Sequence, residues 1–114
     1  LRMAGASAER VVGFPFRRLA EEEGVVFPDH FVLCPVGARR RIERVLFDLR
    51  PGVTEVYLHP GIDTDELRAA YGDWAGRVED HAYLCEDPSL RDLIGRAGVQ
   101  LIGYRRLREL QRAA

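Results

Sequence analysis

Hydrophobic and polar positions alternate along this chain with two different periods. The clearest block runs from Gly37 to Arg50. There Ile42, Val45, Leu46 and Leu49 recur at i, i+3, i+4 and i+7, one apolar stripe on a helix that Pro51-Gly52 ends. Earlier, residues 14–23 place Phe16, Leu19 and Ala20 on one face of a short helix stopped at Gly24. Val25-Val-Phe27 is short and extended, broken by Pro28. His30-Phe-Val-Leu-Cys34 then reads as a buried strand closed by Pro35, and residues 53–58 as a second strand.

Four more helices are legible downstream. Asp63-x-x-Glu66 has capping-box spacing for a short helix through Tyr71. Asp73 can cap the next, with Trp74, Val78, His81 and Cys85 along one side. Asp87-Pro88 opens a third, because proline is tolerated at the first helical position and aspartate caps it; Leu90, Leu93, Ile94 and Ala97 form its stripe. Val99-Gln-Leu-Ile-Gly103 reads as a last strand and residues 104–112 as a last helix.

Helices between apolar strands imply an α/β fold with parallel pairing and right-handed crossovers. Three strands cannot close a barrel, and with about five helices they make a poor stand-alone sheet. That shortage, together with an irregular lead-in over residues 1–13, leads us to expect part of a larger α/β unit. No internal repeat or low-complexity linker interrupts it.

Composition narrows the setting. The chain has 114 residues, 46% hydrophobic and 31% charged, the balance of a water-soluble globular domain. Its formal charge of −1 supplies no long-range field for nucleic acid or an anionic membrane. All 17 basic residues are arginine, which reads as the codon composition of a GC-rich genome. Arg39-Arg-Arg41 and Arg105-Arg106 are expected to be solvated or paired with Glu43, Asp48 and Glu109. Cys34 and Cys85 lack metal spacing; a reduced pair in the cytoplasm is the expectation, although one disulfide also fits the sequence. No apolar run is long enough for a signal peptide or a membrane span.

Candidate chemistry centres on Glu55-Val-Tyr-Leu-His-Pro-Gly61. An imidazole leaving a buried strand at its C-terminal end stands where α/β enzymes place catalytic groups. Pro60 stops the strand and Gly61 turns the chain. The plainer alternative is a histidine that caps the strand and bonds a neighbour. Tyr57 and His59 are two apart and point the same way in extended chain, which makes Tyr57 a candidate sugar contact. Arg77 and Asp80, three apart on a helix, can form a structural ion pair or face the site and orient His59. Trp74 and His81 fit a core stripe. His30, His59 and His81 lie on three elements without metal-ligand spacing, so no tight metal site is expected in this chain alone.

Residues Gly52 to Gly61, then Arg77-Val-Glu-Asp80, Asp87-Pro-Ser-Leu90 and Gly98-Val-Gln-Leu-Ile-Gly-Tyr104, resemble the C-terminal portion of the YdjC-like (ChbG/HpnK) carbohydrate deacetylases. The resemblance runs from about residue 14 to Gln111. It implies part of a TIM-like (β/α) barrel over residues 14–114 and a metal-dependent hydrolase acting on N-acetylated sugars. The family's metal motifs, an Asp-Asp element and two histidines, belong to its N-terminal half and are not in this chain.

By that resemblance His59 is the general acid, and Asp29, Tyr57 and Arg77 help bind the sugar. For Asp29, an Asx-type turn or cap after Pro28 is the alternative. The resemblance also implies a divalent ion (Mg or Zn) for the full-length protein. It implies a fragment inactive alone that associates with the missing N-terminal half or with itself. A non-catalytic sugar-binding or assembly module, or a hydrolase of another amide, are the competing readings.

Overall fold

The computed structural model describes residues 15–114, so the expected lead-in over residues 1–13, and Phe14, lie outside the described residues. The described elements are α1 (Phe16–Glu22), β1 (His30–Leu33), α2 (Arg39–Phe47), β2 (Thr54–Tyr57), α3 (Asp65–Ala70), α4 (Trp74–Cys85), α5 (Pro88–Arg96) and α6 (Tyr104–Ala113). β1 and β2 form a two-stranded parallel sheet, giving a β-α-β unit of the α/β class. The His30 N–H donates to the Val53 carbonyl and the Cys34 N–H to the Tyr57 carbonyl, each at 3.0 Å, so the strands run in step.

The third expected strand does not form. Residues 99–103 belong to no strand, and Leu101 is 80% exposed. The apolar run is there, but strand structure is a relation between two segments, and none of the described residues offers these backbone groups a ladder. Helix ends also differ from expectation. α2 stops at Phe47, leaving Leu49 outside its stripe. α3 is capped not by Asp63 but by Thr64, whose hydroxyl accepts the Leu67 N–H at 3.1 Å. Asp63 is held instead by a two-pronged bond from Arg68, at 2.6 and 2.8 Å. Asp87 caps α5 as its Asp-Pro spacing requires, accepting the Ser89 N–H at 2.8 Å.

The chain divides into two compact units. Of the described residues, one takes 15–32, 51–55 and 101–114, the other 33–50 and 56–100. In the first, Leu107 of α6 is buried. The Gln111 side-chain amide bonds both the Gly24 carbonyl, at 2.8 Å, and the Val26 N–H. In the same unit the Asp29 carboxylate accepts the Val53 N–H at 2.8 Å and so fixes the entry to β2. Gly52 makes that possible. Its φ is +110°, and a Cβ there would lie 2.5 Å from Asp29 Oδ2. Gly52→Ala should therefore destabilise the protein by about 2 kcal/mol, from backbone strain together with displacement of the carboxylate. Chemical denaturation measures the loss.

The second unit holds α2 to α5. Its buried apolar side chains are Cys34, Ala38, Ile42, Tyr83 and Leu90. α2 packs on α5, and α3 on α4. Gly76 of α4 lets Val36 approach, since a Cβ at position 76 would stand 2.6 Å from Val36 Cγ1. The start of α2 has no cap of its own: Ala38 stands at the cap position. The carboxylate of Asp80, 2% exposed in the middle of α4, fills the gap. It accepts the Gly37 N–H at 3.1 Å and the Ala38 N–H at 2.7 Å. A negative charge there also meets the positive end of the α2 dipole.

Candidate functional site

The second unit carries a cluster of polar and aromatic side chains where β2 ends. The strand finishes at Tyr57 and the chain continues irregularly through Leu58, His59 and Pro60. His59 is half-buried. Its ring meets that of Tyr57 edge-on, with centroids 4.8 Å apart and planes at 71°. The two-residue spacing along extended chain produces this contact. Gly61 ties the segment to α4, its N–H donating to the Arg77 carbonyl at 3.0 Å. The fit is close: a Cβ at position 61 would lie 2.9 Å from Leu67 and 3.4 Å from Arg77.

Arg77 faces this segment, but its partner is not Asp80. Its guanidinium bonds Asp73 in a two-pronged arrangement, Nε to Oδ1 at 2.7 Å and Nη2 to Oδ2 at 3.3 Å, and lies 4.1 Å over the Tyr71 ring. Two physical reasons decide the pairing. An acid one turn before a base is the better helical orientation, and Asp80 is already committed to the start of α2. The hydrogen bond from Arg77 holds the Asp73 carboxyl below its ordinary value of 3.8, and the charge of His59 adds a smaller push in the same direction.

A lowered carboxyl value in the folded state stabilises above the unfolded group's range and loses that contribution as pH falls through the folded value. Asp73 should accordingly titrate below 3.8 in a carboxyl NMR titration. Arg77→Gln should bring it back toward that value.

The remaining candidates are placed as follows. Asp29 lies in the first unit, where its carboxylate serves the β2 entry; it bonds the Val53 amide, 24 residues on, and not a neighbouring amide as an Asx-type turn or cap would require. Trp74 is half-buried under the guanidinium of Arg68, 4.5 Å from its ring, instead of in a purely apolar stripe. His81 Nδ1 stands 4.0 Å from Glu86. Both cysteines are free thiols, Cys34 buried and Cys85 exposed. Burial pushes the Cys34 thiol up, against the opposing charge of Arg41. Among the described residues, no three or more His, Cys, Asp or Glu side chains are grouped to hold a metal ion. None of the described helices is long and apolar enough to cross a membrane.

Sequence reasoning missed Asp73 as the partner of Arg77 and Asp80 as a buried cap. Both had signals. Asp73 and Arg77 have i, i+4 spacing, and Val36-Gly37-Ala38 offers α2 no side-chain acceptor, so another element had to supply one. No family model matches the chain, and no curated protein or solved structure matches it either.

Proposed function

We propose that this chain is the C-terminal part of a YdjC-like carbohydrate deacetylase, with His59 as the acid that protonates the departing amine. The observation that carries the reading is His59 itself. It is half-buried just past a parallel strand, against Tyr57, with the Asp73–Arg77 pair on the adjoining helix. Hydrolysis of an acetamide expels an amine, and expelling an unprotonated amide anion is prohibitive, so a positioned proton donor is needed. Tyr57 offers a ring edge to a sugar, and Arg77 and Asp73 hold one another on the adjoining helix. The part of Asp29 in binding the sugar rests in this reading on the resemblance alone.

The divalent ion of such enzymes does not fit the described residues, which gather no ligand set for it. In this reading β1 and β2 are neighbours in a partial TIM-like barrel of a cytoplasmic protein. Residues 99–103, which form no strand here, would become one in this reading only on pairing with the missing half. Exposed Leu101 and Ile102 support that, since apolar side chains beside unpaired backbone favour association with the missing half or a second copy.

The test is acetate release from N-acetylated chitobiose with added divalent metal. It compares the chain alone with the chain joined to the upstream half that the reading requires. Activity confined to the joined form supports the proposal. Sugar binding without turnover in either form sinks it in favour of a binding module, and turnover of a different amide in favour of another hydrolase.

A further inference from the structure

The outer face of the second unit has a groove that plays no part in the chemistry at His59. It lies where α2 packs on α5 and has a volume of about 990 Å³, with Tyr83 of α4 contributing to its wall. On α2, Arg40, Arg44 and Phe47 share one face by their i, i+4, i+7 spacing. Leu93 and Arg96 face the groove from α5 at i, i+3. Phe47, on the groove wall, is 62% exposed.

The arginines here fall into two groups. Arg39 is consumed: it bonds Glu43 at 3.1 Å, reaches Asp87 at 3.3 Å and lies 4.7 Å over the Tyr83 ring. Arg41 donates to the Leu33 carbonyl at 3.1 Å. Arg40, Arg44 and Arg96 have no acidic partner among the described residues, so Arg40 and Arg44 repel one another one turn apart. Glu43 is satisfied by Arg39; Asp48 is the one other acid lining the groove. Three arginines without an acidic partner line the same opening as Phe47 and Leu93. Their planar forks match phosphate oxygens, and the exposed ring offers a surface for an apolar group. The volume is too large for a bare inorganic ion to fill and suits an organic ligand.

We propose that this groove binds a phosphate monoester or diphosphate carrying an aromatic or other apolar body. Arg40, Arg44 and Arg96 hold the phosphate, and Phe47 and Leu93 receive the apolar part.

The test is a titration of the full chain at constant ionic strength, followed by the arginine Nε–H and backbone amide NMR signals. Phenyl phosphate should give saturable shifts at Arg40, Arg44, Phe47 and Arg96, binding about tenfold more tightly than inorganic phosphate. Phe47→Ala should erase that difference. Arg44→Gln and Arg96→Gln should each weaken both ligands about tenfold, whereas Arg18→Gln, on α1, should change neither. A nucleoside diphosphate and a short-chain phosphatidate then distinguish the sources, the tighter of the two naming the natural class. Shifts that rise linearly without saturating, that chloride reproduces, or that Arg18→Gln reduces as much as Arg44→Gln does, would overturn the proposal.

Discussion

Replacing His59 by alanine in the joined protein should lower the rate of acetamide hydrolysis by about 10²- to 10⁴-fold, the usual contribution of a positioned proton donor. The loss should fall on kcat, because the proton is needed when the C–N bond breaks and not when the sugar binds. His59→Gln tests the role more sharply. Glutamine keeps a hydrogen-bonding group against Tyr57 but cannot deliver a proton, so it should be nearly as slow as alanine. An aryl acetate should be almost insensitive to either substitution, since a phenolate departs without protonation. Equal losses on amide and aryl ester would instead mean that His59 orients the substrate. Because His59 is only half-buried, thermal unfolding should shift little.

A second large effect is expected far from that chemistry. Asp80→Ala should cost about 3 kcal/mol of stability, because the buried Ala38 N–H and the part-buried Gly37 N–H lose their acceptor. For a domain of this size that corresponds to a fall in melting temperature of about 15 °C. Asp80→Asn retains one oxygen but must turn an N–H₂ toward the second donor, so it should recover only part of the loss. A melting temperature within a degree or two of the parent protein would show that water replaces the carboxylate without penalty. A readout at α2 separates this from general loosening: amide exchange of residues 39–42 should accelerate first.

The parts of the fold that local chemistry decides were legible. Ile42 is buried on the stripe its spacing defines, Asp87-Pro88 starts a helix, and Tyr57 meets His59 because two residues of extended chain bring them to one side. The parts decided by a competition between partners were not. Asp63, Asp73 and Asp80 all look like helix-surface or capping acids in sequence. In the fold Arg68 takes the first, Arg77 the second and the α2 amides the third. Val99 to Gly103 shows the same limit on a larger scale, since five residues of strand character need a neighbour that no local pattern supplies. Of the candidate site, the histidine and tyrosine could be read along the chain, whereas the salt link across α4 depended on which acid was already engaged.

The amide of Gln111 has a consequence for the order in which the protein forms. It bonds Val26 and Gly24 across sequence separations of 85 and 87 residues. Closing a loop that long costs chain entropy before any contact repays it, and contacts of this kind slow folding. During synthesis, α6 is made after every other described element. The second unit, built from residues 33–50 and 56–100, can gather its helices while the ribosome is still at work. The first must wait with its opening segment undocked until the final turn of α6 emerges. For that interval the second unit would be the natural nucleus for everything that follows.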